Sequence, residues 1–331
     1  MHFIIDCDIP FIRGVLEPYA DVSYVKGDDI SSDTLGDAEV LVVRTRTRCD
    51  ERLLAGSKVK FIATATIGMD HIDLDYCKRQ GIEVVNAKGC NARGVLQWVA
   101  AVLRDVVLHD GRHPGNYRLG VVGVGCVGSL VVEYARHWGF EVLMCDPPRK
   151  EREGGDFLSV EELAKSCHIL TFHTPYDVST HHLLDESLLG LMLPDAVILN
   201  ASRGGVVDNL AVANSSHRYY FDVWEDEPNI DSVVLTNSSI ATPHVAGYSL
   251  HGKANATSMV VNAIARRFKL PLEGWYPTEV KPTQMQMIGW KQMCSSIESY
   301  YPISEESALL KSHPEEFEKM RNTYRYRTEY F

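Results

Sequence analysis

Three side chains with complementary acid–base chemistry, Arg203, Glu227 and His244, each follow a short β-rich run of the chain. An imidazole can take the proton of a hydroxyl group, and a guanidinium can bind a carboxylate through two parallel hydrogen bonds. A carboxylate on the second ring nitrogen would orient the imidazole and raise its proton affinity. These groups suit the oxidation of a secondary alcohol beside a carboxylate, a reaction that also needs a hydride acceptor. The placement of all three at strand ends favours this chemistry over a loop histidine and an arginine that only caps a turn.

A glycine-rich turn indicates the hydride acceptor. Gly123, Gly125 and Gly128 form a G-x-G-x-x-G pattern that follows an apolar run and opens a helical pattern. Glycines at these positions allow a tight turn, close approach of a pyrophosphate to the backbone and close packing of helix on strand. Asp146 ends the next apolar run, 18 residues after Gly128, where a carboxylate would hydrogen-bond an adenosine ribose. Because this carboxylate would repel a 2′-phosphate, we expect NAD as the cofactor, although two nearby arginines could offset the repulsion.

The elements that must position these groups are short β-rich runs that alternate with amphipathic helical segments. Such alternation predicts an α/β protein with parallel sheets covered by helices, in which ligands gather at the carboxyl ends of the strands. A longer helical pattern at 92–108 precedes the glycine-rich turn and is typical of a helix that bridges two domains. The β-rich runs are 3–6, 40–43, 61–64 and 82–85, then runs at Val121 and Val142, and finally 168–172, 196–199, 219–223 and 240–242.

The order of these runs predicts two doubly wound parallel-sheet domains and a short extension. A flavodoxin-like substrate domain is expected from 1–92 and 249–276, the latter containing a return helix. A Rossmann NAD-binding domain is expected at 93–248, and 277–331 would form a C-terminal extension that could serve dimerisation. Two chain crossings between the domains predict a hinge, whose closure would exclude water and bring the substrate against the nicotinamide.

Composition restricts the class of protein. A length of 331 residues and 45% hydrophobic content support two domains with substantial cores, and a net charge of −11 argues against a nucleic-acid surface. The eight cysteines lack C-x-x-C spacing, and His181-His182 is interpreted as a surface pair, so neither a metal site nor a disulfide framework is indicated. No export signal and no apolar run of about 18 residues is found, so we expect a cytoplasmic protein without a membrane partner.

The ordered set of motifs resembles the D-isomer-specific 2-hydroxyacid dehydrogenases. Within that superfamily the chain is most similar to the erythronate-4-phosphate dehydrogenase family, through Asp-Pro-Pro-Arg at 146–149 and His-Val-Ala-Gly-Tyr at 244–248. The motifs shared with the whole superfamily cover roughly the first 270 residues: Gly-Met-Asp-His-Ile-Asp at 68–73, the glycine-rich turn, 200–204, 222–228, and Thr-Pro-His at 242–244 with Gly247.

The resemblance implies a reaction and the residues that perform it. The family oxidises 4-phospho-D-erythronate with NAD to 2-oxo-3-hydroxy-4-phosphobutanoate, in pyridoxal 5′-phosphate (vitamin B6) biosynthesis, and acts as a homodimer. Its catalytic residues fall on Arg203, Glu227 and His244, with His244 as the acid/base. The NAD contacts that the resemblance implies are Gly123, Gly125, Cys126, Val127, Gly128, Asp146, Thr174, Asp222 and Gly247.

A phosphorylated substrate requires anion-binding groups as well. The resemblance places substrate contacts on Thr45, Thr66 and Tyr248. The run Arg44-Thr-Arg-Thr-Arg adds a candidate site, because alternation along an extended chain would send Arg44, Arg46 and Arg48 to one side. A solvated basic edge is the alternative; it stays equally open for Arg46 and Arg48 and is less favoured for Arg44.

Two departures from the family and three alternative functions remain. Only residues 208–220 are left for a helix and its return after the Arg203 loop, and the tail after Pro277 is shorter than the usual dimerisation domain. That tail contains a helix-like segment at 314–321 and a Tyr-Arg-Tyr-Arg run at 324–327. A phosphoglycerate dehydrogenase or a hydroxypyruvate/glyoxylate reductase would use the same three residues, and a non-catalytic NAD-sensing corepressor would use the same fold. The Asp-Pro-Pro-Arg string and Tyr248 favour the erythronate enzyme.

Overall fold

The computed structural model describes residues 1–281 and 286–331 and divides the chain into two compact units. One unit contains residues 1–91 with 250–281, and the other contains 92–249 with 286–331. Each unit is built on a sheet of parallel strands, so the predicted α/β class is confirmed.

The first unit forms a five-stranded sheet in the order β2-β1-β3-β4-β5. The strands β3 and β4 are buried along their whole length, as expected for central strands of a parallel sheet with both faces covered. The strand β2 lies outside the predicted β-rich runs; it is a partly exposed edge strand in which polar and apolar residues alternate. The elements are β1 (His2–Asp6), β2 (Asp21–Val25), α1 (Ser32–Leu35), β3 (Val40–Val43), α2 (Glu51–Leu54), β4 (Phe61–Thr64), α3 (Leu74–Gln80) and β5 (Glu83–Asn86).

The second unit forms a six-stranded sheet in the order β11-β10-β9-β8-β6-β7. The strand order reverses at β6, which pairs with β7 on one side and β8 on the other, and ligands of such sheets bind at that switch point. The elements are α4 (Ala92–Asp110), β6 (Arg118–Val122), α5 (Cys126–His137), β7 (Glu141–Cys145), α6 (Pro147–Glu153), α7 (Val160–Ser166), β8 (Ile169–Phe172), α8 (Glu186–Leu189), β9 (Val197–Asn200), α9 (Asn209–Ala213), β10 (Arg218–Phe221), α10 (Ser232–Asn237) and β11 (Ile240–Ala241).

Within the described residues, β11 is followed by the helices α11 (Leu250–Phe268), α12 (Trp290–Tyr300), α13 (Ile303–Ser312) and α14 (Phe317–Asn322). The helix α11 returns to the first unit, where Val260 and Ile264 enter the core beside β1 and β3. The described part of the C-terminal extension belongs to the second unit, with Ile297 in the core under α4 and Phe317 in the core on the other side of the sheet. None of the helices in the described ranges is long and apolar enough to span a membrane.

The helix α13 covers the edge of the six-stranded sheet. Ser307 is buried, and its Oγ accepts a hydrogen bond of 2.9 Å from the backbone N–H of Ala241 in the edge strand β11. An edge strand otherwise presents unpaired backbone groups, so this contact both protects the edge and fixes the chain that leads to His244.

Candidate active site

The glycine-rich turn connects β6 to α5 and has the geometry that a dinucleotide requires. Gly123 has φ +84°, and a Cβ at this position would lie 2.8 Å from the carbonyl oxygen of His173. A Cβ on Gly128 would overlap the carbonyl oxygen of Gly123. Gly125 differs, because a Cβ there would meet nothing within 4 Å. The backbone is therefore open at Gly125, directly before the first N–H groups of a twelve-residue helix that starts at Cys126 and Val127.

Asp146 lies beside this turn and also caps the next helix. Its Oδ2 accepts the N–H of Val124 at 2.8 Å, and its Oδ1 accepts the N–H of Arg149 at 2.9 Å. Arg149 in turn donates to the carbonyl oxygen of Val124 at 2.8 Å and pairs with Glu153. Each carboxylate oxygen of Asp146 retains a lone pair for a ribose hydroxyl, so the geometry fits the role that the sequence predicts.

Two buried polar side-chain atoms belong to residues that follow β8 and whose backbone lies beside Gly123 of the turn. Among the described residues, Oγ1 of Thr174 and Nδ1 of His173 are buried without a hydrogen-bond partner. Burial lowers the pKa of His173 to about 3, so this imidazole is neutral at physiological pH. A polar group of a bound cofactor would satisfy the Thr174 hydroxyl. The open backbone at Gly125 and this orphaned hydroxyl are the two observations that fit a dinucleotide.

Asp222 is fully buried at the end of β10 and holds the segment that carries His244. Its carboxylate accepts hydrogen bonds from Thr242 Oγ1 at 2.6 Å and from the N–H groups of Val245 at 2.8 Å and Ala246 at 3.0 Å. Burial raises the pKa of Asp222 above its ordinary value, although the His244 charge and these hydrogen bonds lower it. Since the three bonds use most of its acceptor capacity, a direct contact with NAD stays a prediction.

The imidazole of His244 is paired with Glu227. Oε2 of Glu227 lies 2.8 Å from Nδ1 of His244, and Oε1 accepts the N–H of Trp224 at 2.9 Å. Burial raises the pKa of Glu227, but the His244 charge, its hydrogen bond and the Trp224 amide lower it further, so the net pKa is below the ordinary value. With Nδ1–H donated to a carboxylate, Nε2 of His244 keeps the lone pair that a general base needs.

Arg203 lies in the same cavity as this pair. The cavity has a volume of about 300 Å³, and its walls include Arg203, Glu227, His244, Tyr176, Trp224 and Glu225. One Arg203 nitrogen, Nη1, donates to the carbonyl oxygen of Ser202 at 2.8 Å. A Cβ on the neighbouring Gly204 would overlap the Trp224 carbonyl, so glycine is needed for the Arg203 loop to approach the Glu227 loop. The structure thus brings together the three residues predicted to be catalytic.

The short segment after Arg203 is supported by Asn209, a residue that the sequence analysis did not single out. The Asn209 N–H donates to Oε2 of Glu225 at 3.0 Å, and its Oδ1 accepts the Glu225 N–H at 3.1 Å. Its Nδ2 donates to the carbonyl oxygen of Val207 at 2.7 Å. The five-residue helix α9 that begins at Asn209 is therefore sufficient to hold the loop.

The pair His181-His182 lies at the surface, as the sequence predicts, because His181 is exposed and the His182 side chain is 33% exposed. His182 also contacts Glu225, a residue of the cavity wall. Its Nε2 lies 2.7 Å from Oε1 of Glu225, and its ring stacks on His181 with centroids 4.0 Å apart. His181 hydrogen-bonds the hydroxyl of Tyr176, which reaches the cavity. Sequence spacing gives no signal for this arrangement, because Glu225 is 43 residues away from His182.

Gly247 and Tyr248 continue the segment that contains His244. A Cβ on Gly94 of α4 would lie 3.3 Å from Cα of Gly247, so helix and segment are in close contact. The Tyr248 ring packs edge-on against Tyr324 and Tyr326, with centroids 5.8 and 6.2 Å apart. The proposed NAD contact at Gly247 and substrate contact at Tyr248 stay predictions.

The arginine run in the first unit departs from its expected conformation. The strand β3 ends at Val43, and a turn follows in which the N–H of Thr47 reaches the Arg44 carbonyl, so the side chains do not alternate as in an extended chain. The prediction that three arginines share one side for this reason is therefore wrong. Arg44 pairs with Asp6 and Asp8, each at 2.8 Å, so its positive charge is already neutralised by carboxylates of the same unit. Arg48 is exposed and pairs with Asp50, as expected for a solvated edge.

The two threonines predicted to contact substrate differ in environment. Thr45 is exposed in the turn after β3. Thr66 is half-buried, its Oγ1 lying 2.7 Å from Oγ1 of Thr64 and donating to the Gly68 carbonyl at 3.0 Å. Thr45 is thus accessible from solvent, whereas the Thr66 hydroxyl already bonds its own loop.

The chain is similar to proteins of known family. Residues 97–246 match the model of the D-isomer specific 2-hydroxyacid dehydrogenase, NAD binding domain. An erythronate-4-phosphate dehydrogenase of Bacteroides fragilis is 42% identical over 99% of this chain and 97% of the relative. The enzyme of that name from Ectopseudomonas mendocina is 41% identical, over 82% of this chain and 73% of the relative.

Solved structures share the fold. A D-lactate dehydrogenase of Aquifex aeolicus, complexed with NAD and lactic acid, superposes with a TM-score of 0.66 and 25% identity, covering 81% of this chain and 96% of that one. The cofactor-bound 3-phosphoglycerate dehydrogenase of Entamoeba histolytica gives a TM-score of 0.68 over 83% of this chain and 98% of that one. At 23% identity, the second comparison supports the fold alone.

Proposed function

Because the chain belongs to the erythronate-4-phosphate dehydrogenase family of D-isomer-specific 2-hydroxyacid dehydrogenases, we propose that it oxidises 4-phospho-D-erythronate with NAD. The products are 2-oxo-3-hydroxy-4-phosphobutanoate, NADH and a proton. This reaction belongs to vitamin B6 biosynthesis. The observation within the structure that carries the proposal is the His244–Glu227 pair of 2.8 Å in one cavity with Arg203.

The roles of the three residues follow from their chemistry. Bound NAD supplies the acceptor for the hydride that leaves C2 of the substrate. His244 takes the C2 hydroxyl proton on Nε2, and the Glu227 carboxylate on Nδ1 stabilises the imidazolium that results. Arg203 binds the substrate carboxylate and the C2 oxygen, which fixes the alcohol and favours the ketone that forms.

The cofactor and substrate contacts extend the proposal. We assign NAD to the unit with the six-stranded sheet, at the glycine-rich turn with Asp146 and Thr174, because the open backbone and the unsatisfied hydroxyl fit it there. Thr45, Thr66 and Tyr248 stay as proposed substrate contacts. Arg44 is a weaker candidate for binding the phosphate, since two carboxylates already neutralise its positive charge. A homodimer in the cytoplasm is proposed from the family resemblance.

The proposal is tested by NADH formation with three acids that differ by one feature each. Purified protein with NAD is given 4-phospho-D-erythronate, unphosphorylated D-erythronate or 3-phospho-D-glycerate, with a 2-oxo acid present in parallel samples to recycle tightly held cofactor. Selective turnover of the phosphorylated erythronate is expected. Selectivity for the phosphoglycerate, or turnover of none of the three, would contradict the proposed substrate.

A further inference from the structure

The end of the chain folds back onto the segment that carries His244. Within the C-terminal extension, we call residues 321–331 alone the tail, and we call residues 242–249 the His244 loop. Arg327 and Ser249 form a parallel backbone bridge, and the N–H of Arg327 donates to the carbonyl oxygen of Tyr248 at 3.4 Å. The hydroxyl of Ser249 donates to Oε1 of Glu329 at 2.6 Å, and this contact is buried. The tail is thus bonded along the second half of the His244 loop.

The guanidinium of Arg327 makes the most specific of these contacts. It is buried, and its two terminal nitrogens donate to consecutive carbonyl oxygens, Nη1 to Val245 at 3.2 Å and Nη2 to Ala246 at 2.6 Å. The N–H groups of the same two residues donate to the carboxylate of Asp222. Both residues directly after His244 are therefore bonded at their two backbone groups, the N–H to a buried carboxylate and the carbonyl oxygen to a buried guanidinium.

A network of side chains from the end of α12, from α13 and from the tail keeps Arg327 in place. The guanidinium lies over the ring of Tyr301, 3.6 Å from its centroid, and hydrogen-bonds the Tyr324 hydroxyl. Tyr324 donates in turn to Oε1 of Glu306 at 2.6 Å. A buried cation is costly unless it is bonded and balanced, so such a network is expected where one charge must occupy one position.

The backbone of His244 explains why this position matters. Its φ is +57°, a left-handed conformation that is unfavourable for a residue with a Cβ and persists only when the surroundings enforce it. The flanking bonds to Asp222 and Arg327 provide that enforcement. Without them the loop is free to relax toward a commoner conformation, which would displace the imidazole from the substrate hydroxyl.

We propose that Arg327 is a positioning residue for the reaction. Its two hydrogen bonds to the carbonyl oxygens of Val245 and Ala246 fix the backbone that presents His244 to the substrate. The inference rests on the proposed function for the role of His244. It makes the tail a working part of the active site, although Arg327 itself touches neither substrate nor cofactor in this assignment.

The test compares Arg327→Lys with Arg325→Lys in the full-length protein. Lysine keeps the charge at 327 but cannot bond both carbonyls as a fork, and the exposed Arg325, two residues away, is the matched control. Turnover of 4-phospho-D-erythronate, the affinity for NAD and the melting temperature are measured for both. Because a displacement of about 1 Å can reduce rates by about a hundredfold, kcat of Arg327→Lys is expected to fall tenfold to a hundredfold. The KM and the NAD affinity of Arg327→Lys should stay within about threefold of the values for Arg325→Lys, since the substituted group contacts neither substrate nor NAD.

A measurement without substrate separates this inference from the proposed function. Hydrogen–deuterium exchange in a peptide covering the His244 loop should be faster in Arg327→Lys than in wild type or Arg325→Lys, while peptides from β6 and α5 are unchanged. Tyr324→Phe, which removes the hydroxyl between Arg327 and Glu306, should show the same pattern to a smaller degree and serves if Arg327→Lys does not fold.

The outcomes are distinct. Wild-type kcat and wild-type exchange in Arg327→Lys would overturn the inference. A fall in kcat accompanied by a similar fold-loss of NAD affinity and by a lower melting temperature would also overturn it, because the substitution would then act on the whole fold. No turnover in the wild-type protein would overturn the proposed function, whereas faster exchange confined to the loop would still support Arg327 as the residue that fixes it.

Discussion

At the scale of single residues, the site depends on side chains whose protonation state is set by a neighbour or by burial. Glu227 is held as a carboxylate by His244 and by a backbone amide, despite burial. His173, whose backbone carbonyl lies against Gly123 of the glycine-rich turn, is held neutral by burial alone. The first arrangement suits proton transfer, and the second keeps a positive charge away from the turn. Each arrangement leads to a measurable consequence.

Replacement of His244 by glutamine should abolish turnover and leave the cofactor bound. The substituted side chain cannot take a proton, and general bases contribute about a hundredfold to ten-thousandfold to such reactions. We expect kcat to fall by at least about a hundredfold, with NAD affinity measured by titration unchanged. The exposed His137 on α5 provides the control His137→Gln, which should behave as wild type. Substantial turnover by His244→Gln would eliminate His244 as the base.

His173 should make the protein less stable in acid. In the unfolded chain its imidazole takes a proton as the pH falls below about 6.5, whereas the folded protein leaves it neutral down to a pKa of about 3. The unfolded state therefore binds more protons in this window, and the free energy of unfolding falls by about 1.4 kcal/mol per pH unit below 6.5.

The comparison with His173→Gln isolates this contribution. Urea unfolding without NAD at pH 7.5 and 5.5 should show the wild type losing about 1 kcal/mol more than the variant between the two pH values. Equal losses in the two proteins would show that His173 is protonated in the folded state or already neutral in the unfolded one.

At the scale of elements, the glycines of the glycine-rich turn serve two different requirements, the packing of the fold and the binding of a ligand. Gly128 is needed for the fold, because a Cβ there would overlap the backbone of Gly123. Gly125 has open space around it, so its requirement comes from a ligand. The same motif thus serves the packing of α5 on the sheet at one glycine and the approach of a phosphate at another.

The pair Gly125→Ala and Gly128→Ala tests this separation. Gly125→Ala should retain the wild-type melting temperature within about 2 °C and lose NAD affinity by tenfold or more, since the new methyl group occupies the phosphate position. Gly128→Ala should lower the melting temperature in the absence of NAD, because helix and turn must move apart. If Gly125→Ala bound NAD normally, the pyrophosphate would have to lie elsewhere.

The sequence predicts elements well where one signal dominates. Fully buried strands such as β4 and β9 are short apolar runs, and the structure places them within two residues of their predicted bounds. The edge strand β2 gives no such signal, because none of its residues is fully buried and its polar residues resemble a loop. The arginines after Val43 were placed on one side because a turn was not recognised, and only the structure shows where the strand ends.

At the scale of the whole molecule, the contacts that complete the site come from distant parts of the chain. His244 and Glu227 could be paired from sequence because both follow strands whose ends meet at one edge of a sheet. The Tyr-Arg-Tyr-Arg run at 324–327 carries no such signal, and a sequence separation of 81 positions between Ala246 and Arg327 conceals their contact. Polar contacts of this kind depend on how the C-terminal helices pack within the second unit, which apolar periodicity alone does not specify.

The most direct test of the central claim follows the hydrogen at C2 of the substrate. Purified protein is given NAD and 4-phospho-D-erythronate that carries deuterium at C2, and the NADH formed is examined by mass spectrometry. The account predicts NADH that contains one deuterium, together with a 2-oxo acid that has lost it. Unlabelled NADH, or no NADH from this substrate under conditions in which NAD binds, would contradict oxidation at C2 by this site.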